Sequence, residues 1–233
     1  MNKDYSIEVE VKRSFKYETT YLVTKIKGLK PHLDFTGGIP YKNYKNVWDF
    51  TQDKDIPFTI NWGLKGVTVK DREIIINENI PQFEGWYMLG IKEDGSFKAY
   101  PRSMTGEELV ADGCIDATNI WSPLIENSQP FDFELLPHED PNWNYIIPTT
   151  HPRQAVGRLA DGTYVIVTND SRMKRERGFT SPELQEIMME LGCVEAYNFD
   201  GGASTQTVIG KRLISRKHND VRRVCTVMTF LEE

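Results

Sequence analysis

The sequence predicts an α+β fold, a strand-rich single domain with few helices and a mixed sheet. Short runs of alternating or β-branched residues recur along the 233 residues and outnumber the segments with helical periodicity. The hydrophobic fraction of 39% and the aromatic fraction of 11% are typical of a chain that packs a sizeable core. Because the chain shows neither an internal repeat nor a low-complexity linker, one domain is expected over residues 1–233.

Most of the N-terminal half is predicted to form strands. Apolar residues alternate over residues 6–26, which predicts two strands. Residues 30–55 are rich in Pro, Gly, Lys and Asp, so a long loop with room for a short helix is expected there. Further strands are expected at residues 72–77 and 86–100, the latter a hairpin around an Asp-Gly turn signal.

A short helix and an irregular segment come next. Thr105 and Glu108 have the spacing of a capping box, and Gly113 marks the end of the helix that it begins. Residues 128–144 are polar and contain prolines, which predicts irregular structure.

The C-terminal half shows a hairpin, a charged loop and a helix. Two β-type runs flank Asp161 and Gly162, a strong hairpin signal. A basic loop leads to Thr180 and Glu183, a second capping box, and the helix that begins there ends at Gly192. The basic loop is interpreted first as a solvated loop.

A carboxylate and two glycines then end a strand. Residues 194–205 read VEAYNFDGGAST, in which Asp200 follows the strand directly. Paired glycines let the backbone turn sharply and approach a ligand closely, so an acid, backbone N–H groups and hydroxyls would meet at one rim. The alternative is an ordinary turn in which Asp200 caps its own backbone.

The ordered set of these motifs resembles the phosphodiester glycosidase family. The matching pieces are PRQAVG (152–157), DG (161–162), DSR (170–172), GFT (178–180), EL (183–184), LG (191–192) and NFDGGAST (198–205). The resemblance is clearest over residues 152–205 and extends more weakly over 55–232. Three positions depart from the family pattern: Ala203 replaces a third glycine, Ser171 replaces the glycine before Arg172, and Trp62 follows Asn61.

The resemblance implies a hydrolase that cleaves the glycosyl–phosphate bond of a sugar-1-phosphodiester, similar to an N-acetylglucosamine-1-phosphodiester or a nucleotide sugar. A phosphodiester departs as a weakly basic anion, so little general-acid help is needed. Arg153 is expected to bind the phosphate, because a guanidinium pairs with phosphate oxygens. Asp170 and Asp200, at the ends of two strands, are expected to converge as nucleophile and base. The residues expected to bind substrate are Asn61, Arg172, Asn198, Gly201, Gly202, Ser204 and Thr205.

Each assignment has a structural alternative. These alternatives are a surface ion pair for Arg153, a loop cap for Asp170, a turn for Asp200, a strand-end cap for Asn61 and pairing with Asp170 for Arg172. His151 is the histidine nearest these motifs, and its catalytic role is the weaker interpretation. For the whole chain, the alternatives are a non-catalytic binding module for phosphorylated glycans or nucleotide sugars, and a virion structural protein.

The remaining sequence features concern partners and location. The net charge of −6 disfavours nucleic acid as a partner. Three cysteines without CxxC spacing leave no complete disulfide framework, and the apolar surroundings of Cys193 and Cys225 predict buried thiols there. The N-terminal residues lack the apolar core of a secretory signal and no 18-residue apolar run exists, so a cytoplasmic or virion-associated protein, such as a phage protein, is expected. No cofactor is expected, although Asp170, Asn198 and Asp200 offer oxygen ligands for a divalent metal.

Overall fold

Three antiparallel sheets carry the fold in the computed structural model, which describes residues 4–38, 40–78, 86–170, 176–215 and 222–232. Strands predominate and helices are few and short, so the predicted strand-rich α+β class is confirmed. Every pairing among the described strands is antiparallel. The prediction of a mixed sheet is therefore wrong for these strands.

Sheet A has seven strands and sheets B and C have five each. In spatial order, sheet A comprises β1 (Ser6–Ser14), β2 (Thr19–Lys27), β13 (Tyr164–Asn169), β12 (Arg153–Arg158), β14 (Glu195–Asn198), β10 (Ser122–Glu126) and β11 (Gln129–Pro130). Sheet B comprises β16 (Arg212–Leu213), β15 (Thr207–Ile209), β4 (Phe58–Asn61), β17 (Thr226–Leu231) and β3 (Lys30–Phe35). Sheet C comprises β6 (Glu73–Ile76), β5 (Thr68–Lys70), β9 (Cys114–Ile120), β7 (Tyr87–Lys92) and β8 (Phe97–Pro101).

Four α-helices lie among the described residues: α1 (Val47–Thr51), α2 (Gly106–Ala111), α3 (Pro141–Ile146) and α4 (Ser181–Glu190). Both predicted capping boxes are present, at the starts of α2 and α4. At α4, the Glu183 carboxylate accepts the Thr180 N–H at 2.9 Å and the Thr180 hydroxyl accepts the Glu183 N–H at 3.3 Å. This reciprocal pair satisfies two N–H groups that a helix start otherwise leaves unpaired.

Two predicted irregular segments contain regular elements. Residues 30–55, expected to be a loop, include β3 as well as the short helix α1. Residues 128–144 include β11, a 3₁₀ turn at Phe133–Leu135 and the start of α3, where the Asp140 side chain caps the Asn142 N–H. Among the residues described, none of the helices combines the length and apolar character that a membrane span requires.

Side chains from all three sheets form the main hydrophobic core. Ile166 of sheet A, Phe230 of sheet B and Leu89 of sheet C are among its buried members. A second cluster fills the space between sheet A and α4, with Leu184 and Met188 contributed by the helix. The central strands of sheet A are therefore covered on both faces, whereas β1 at its side is largely exposed.

The direction of three neighbouring strands determines where the candidate site lies. β12 pairs antiparallel with both β13 and β14. The C-terminal ends of β13 and β14 therefore lie beside the N-terminal end of β12, along the edge of sheet A that is formed by strand ends. The residues that the sequence analysis singled out at three separate strand ends lie along this edge.

Candidate active site

A cleft of about 380 Å³ opens at this edge of sheet A. Residues from four segments contribute most of its lining, around positions 63–65, 142–153, 200–204 and 222–225, and Tyr44 and Trp121 complete it. Of the residues expected from sequence, the cleft brings together Arg153, Asp200, Gly201, Gly202 and Ser204.

Asp200 is the only carboxylate among the described residues that line the cleft. Its backbone is held from sheet B, because its N–H donates to the Trp62 carbonyl at 3.2 Å and its carbonyl accepts the Asn61 side-chain amide at 2.7 Å. The Trp62 ring stacks on Phe199 at 5.1 Å between ring centroids. These contacts fix the carboxyl at the junction of sheets A and B.

Burial raises the pKa of the Asp200 carboxyl above its ordinary value. The adjacent Ser204 hydroxyl, the charge of Arg222 and the Gly201 N–H, which donates to Oδ1 at 2.9 Å, oppose this effect. A carboxyl that holds its proton more tightly than usual is a stronger base when ionised, which suits it to proton transfer.

The two glycines after Asp200 are required by the backbone. A Cβ at Gly201 would lie 2.3 Å from the Pro152 carbonyl oxygen. Gly202 has φ +63°, and its N–H donates to the same carbonyl at 2.9 Å. Opposite them, a Cβ at Gly63, which has φ +94°, would lie 2.8 Å from the Asp200 Cβ. Glycine at these positions lets three backbone segments meet around one carboxyl.

Ser204 has a buried hydroxyl at the floor of the cleft. It lies close enough to the Asp200 carboxyl to lower its pKa. Within the described residues, however, its Oγ has no partner in hydrogen-bonding geometry. Leaving a buried hydroxyl unpaired costs about 1–3 kcal/mol, so a cleft-facing hydroxyl of this kind is suited to contact a ligand.

Asn61 supports Asp200 and does not reach the cleft. Its side chain is fully buried, and both ends of its amide are engaged. Nδ2 donates to the Asp200 carbonyl at 2.7 Å, and Oδ1 accepts the Gln206 N–H at 3.0 Å. Asn61 therefore positions the backbone of Asp200, and its amide is not placed to contact sugar hydroxyls as expected.

Arg153 is buried, with 2% of its surface exposed, and three of its five N–H donors serve the main chain. Nε donates to the Phe179 carbonyl at 2.8 Å, and Nη2 donates to the Ile146 and Thr149 carbonyls at 2.5 and 2.9 Å. Burial lowers the pKa of Arg153 to about 10, so the guanidinium stays charged at neutral pH. These contacts tie β12 to α3 and to the segment before α4. The sequence analysis had instead expected Arg153 to bind the phosphate of the substrate.

The other expected residues that the structure describes lie outside the cleft lining. Asp170 follows β13 at the same sheet edge and is mostly buried, but it does not line the cleft. Asn198 faces α4, with Nδ2 3.5 Å from the Ser181 hydroxyl, and Thr205 is buried beyond Ser204. Arg172 and Ser171 lie outside the described residues. The structure thus does not bring Asp170 and Asp200 together as a pair in this cleft.

Three cations at the cleft rim were missed by the sequence analysis. These residues are Lys65, Arg222 and Arg223. Arg222 is close enough to Asp200 to favour its ionised form. The sequence analysis assigned no role to the two arginines, and Lys65 lies far from them in sequence. The one feature of the sequence that could have indicated a cationic rim was the adjacent basic pair Arg222 and Arg223.

The cleft lining also includes uncharged aromatic side chains. Trp121 and Tyr145 are among them, and the Tyr145 ring lies 4.4 Å from the His151 ring. His151 Nε2 lies 2.9 Å from the Tyr145 carbonyl and 2.8 Å from the Thr149 hydroxyl, so its visible contacts are structural. Within the described residues, no group of three or more His, Cys, Asp or Glu side chains is placed to hold a metal ion.

A sequence profile of the phosphodiester glycosidase family matches residues 49–231. The chain belongs to this family. The resemblance inferred from the motifs is thereby confirmed, including its weaker extension on both sides of residues 152–205. Ala203, which departs from the family pattern, does not have a positive φ, so alanine is accommodated without strain.

A prophage protein supplies a related sequence. The SPbeta prophage-derived uncharacterized protein YomE of Bacillus subtilis (strain 168) is 29% identical over 166 residues, which cover 70% of this chain and 24% of YomE. The chain thus spans about a quarter of the length of that relative. The match links the chain to a phage-derived protein, as expected from sequence.

Solved structures share the fold. The catalytic domain of zebrafish N-acetylglucosamine-1-phosphodiester α-N-acetylglucosaminidase, auto-inhibited by its pro-peptide, superposes with a TM-score of 0.75 at 14% identity, covering 99% of this chain and 83% of that one. A hypothetical protein from Synechocystis gives a TM-score of 0.66 at 12% identity, with 97% and 62% covered. A putative exported protein from Burkholderia pseudomallei K96243 gives 0.63 at 14% identity, with 91% and 74% covered.

Proposed function

We propose that this protein hydrolyses the glycosyl–phosphate bond of a sugar-1-phosphodiester, with Asp200 as the general base. The observation that carries the proposal is a single carboxyl of raised pKa at the floor of a cleft whose rim is cationic. Membership of the phosphodiester glycosidase family supports the reaction class.

One carboxylate is sufficient for this reaction. Ordinary glycosidases use two carboxyl groups, of which one protonates the departing oxygen. A phosphate ester departs as a stable anion, so that proton is not needed. The carboxylate of Asp200 removes a proton from water, the water oxygen bonds to the anomeric carbon, and the bond between that carbon and the phosphate oxygen breaks. The electron pair of that bond stays on the phosphate, and the products are the free sugar and a phosphomonoester.

Charged and aromatic side chains of the cleft orient the substrate. Arg222, beside Asp200, pairs with the scissile phosphate and stabilises the negative charge that grows on it. The Trp121 and Tyr145 rings offer flat apolar surface to the sugar ring. Arg153 and Asn61 hold the backbone around the carboxyl.

Hydrolysis in ¹⁸O-labelled water tests the bond that breaks. The protein would be incubated with an N-acetylglucosamine-1-phosphodiester and with UDP-N-acetylglucosamine, and the products analysed by mass spectrometry. The proposal requires a phosphate product without label, and the phosphate is the diagnostic product because the anomeric oxygen of a free sugar also exchanges with water. Label in the phosphate would mean attack on phosphorus and would overturn the glycosidase assignment, and binding without product would favour a binding module.

Ser204→Ala is expected to reduce kcat by about tenfold or more while leaving stability unchanged or higher. The hydroxyl lies beside the Asp200 carboxyl, where it can orient the attacking water, and losing such a hydrogen bond costs about 1–1.5 kcal/mol in the transition state. Because Oγ has no partner within the described residues, its removal breaks no hydrogen bond of the fold described here. Steady-state kinetics and urea unfolding measure the two effects. A loss of stability that matches the loss of activity would indicate a structural role.

Arg222→Gln is expected to raise KM for the phosphodiester by about tenfold, the scale of one charge-assisted hydrogen bond. Inhibition by the free sugar, which has no phosphate, should change little. Kinetics with the free sugar as competitor separates the two. Equal weakening toward sugar and phosphodiester would exclude Arg222 as the phosphate ligand.

A further inference from the structure

The cleft rim carries more positive charge than the proposed reaction uses. A phosphodiester brings one negative charge, and Arg222 beside Asp200 suffices to pair with it. Lys65 and Arg223 line the same cleft, yet Asp200 is the only carboxylate in its described lining. The chain as a whole has a net charge of −6, so this rim is a local concentration of positive charge in an acidic protein.

The backbone that carries the two arginines is anchored at both ends. The Arg222 N–H donates to the Ala203 carbonyl at 3.1 Å, and the Val224 N–H donates to the Lys45 carbonyl at 3.0 Å. Both arginines are exposed, and within the described part of the chain neither side chain is seen to form an ion pair. Exposed guanidinium groups on a fixed backbone are suited to bind an anion with little ordering of the main chain.

Lys65 approaches the same rim from a second segment. Its Nζ lies 5.1 Å from the centroid of the Tyr44 ring, which holds the ammonium group near the cleft. The Cys225 thiol donates to the Gly63 carbonyl at 3.0 Å, which joins the segment of Lys65 to that of the arginines. Lys65 and the two arginines therefore belong to one continuous part of the cleft lining.

Uncharged aromatic side chains, Trp121 and Tyr145, line the same cleft. With the anomeric carbon at Asp200 and the scissile phosphate at Arg222, as proposed above, the other cations of the lining are left for the group beyond the phosphate, the aglycone.

We propose that the substrate carries a second phosphate on its aglycone, bound by Arg223 and Lys65 while Arg222 pairs with the scissile phosphate. This proposal rests on the hydrolysis proposed above and narrows its substrate class. Two sources share this chemistry, a pyrophosphate-linked sugar and a sugar linked to a chain with repeating phosphodiesters.

Three substrates with one sugar test the second phosphate. They are N-acetylglucosamine-1-phosphoglycerol, the same compound with a further phosphate on the glycerol, and UDP-N-acetylglucosamine. The full chain is compared with Arg223→Gln, and Arg212→Gln serves as the matched control because Arg212 is exposed and outside the cleft lining. The quantity measured is the ratio of kcat/KM for each two-phosphate substrate to that for the one-phosphate substrate.

In the unmodified protein this ratio is expected to be about 10 or more for at least one two-phosphate substrate, the scale of one charge-assisted contact. Arg223→Gln should reduce that ratio about tenfold, and Arg212→Gln should preserve it. Preference for the nucleotide sugar would identify the pyrophosphate source, and preference for the bisphosphate would identify the polymer.

Two other outcomes reject the second phosphate in different ways. A ratio near one that Arg223→Gln does not change would overturn the second-phosphate site while leaving the hydrolase assignment intact. Release of sugar from none of the three substrates would reject the proposed hydrolysis itself, together with the site that depends on it.

Discussion

Asp200→Asn is expected to lower turnover of a sugar-1-phosphodiester by roughly a factor of 10² or more, the scale of losing a general base or an electrostatic group. Asparagine has nearly the same volume, and its oxygen can still accept the Gly201 N–H that Oδ1 now accepts at 2.9 Å. It cannot take a proton from water. Sugar release under steady-state conditions measures the effect.

The same substitution is expected to leave folding intact or improve it. Burial raises the pKa of Asp200, so the folded state binds the proton more tightly than the unfolded chain. Stability contributed by this group therefore falls as pH rises from about 4, the ordinary pKa, through the raised value. At pH 7 the buried carboxylate is a net cost that asparagine removes. The urea midpoint of Asp200→Asn should equal or exceed that of the unmodified protein at pH 7, and the difference should vanish toward about pH 3.

Asp170→Asn is the matched control for this prediction. Asp170 follows β13 at the same sheet edge but lies outside the cleft lining, so its change is expected to affect turnover much less. A large loss in Asp170→Asn together with unaltered kcat in Asp200→Asn would show that the catalytic carboxyl was assigned to the wrong strand end.

The parts of the fold that the sequence predicted are those determined by neighbouring residues. Thr180 and Glu183 are three residues apart and satisfy each other's backbone, so the start of α4 is visible in the sequence. The glycines after Asp200 mark a turn that other residues do not fit, and the structure shows why: a Cβ at Gly201 would clash with the Pro152 carbonyl, and Gly202 has φ +63°. β3 was missed because Pro31 and charged residues lower its strand propensity. An edge strand tolerates proline, and β3 lies at the edge of sheet B.

The destinations of long side chains could not be predicted in this way. The motif correctly drew attention to Arg153, but its guanidinium reaches carbonyls that α3 and the segment before α4 supply. Lys65 and Arg222 are far apart in sequence and meet only because β4 and β17 pair in sheet B. A basic residue in a motif predicts an anion site only when buried carbonyls do not accept its hydrogen bonds. Only the tertiary structure shows which acceptors the side chain reaches.

Arg153→Lys is expected to destabilise the protein by about 2–4 kcal/mol, because hydrogen bonds from a charged group contribute about 1.5–3 kcal/mol each and a single ammonium nitrogen cannot occupy the positions of both Nε and Nη2. Arg153 donates to Phe179, Ile146 and Thr149 from a site that is almost fully buried. Lysine preserves the positive charge but leaves buried carbonyls without a donor. Urea unfolding at pH 7 measures the change.

Arg222→Lys is the matched control, since Arg222 is exposed at the cleft rim. This substitution should change the free energy of unfolding of the protein by less than about 0.5 kcal/mol. Calorimetry with a phosphodiester substrate analogue and with the free sugar then separates support of the fold from recognition of phosphate. If Arg153 only supports the site, Arg153→Lys weakens the binding of the phosphodiester analogue and of the free sugar to a similar extent. Unchanged stability with a loss confined to the phosphodiester would instead mean that the guanidinium contacts the phosphate, as the family motif first indicated.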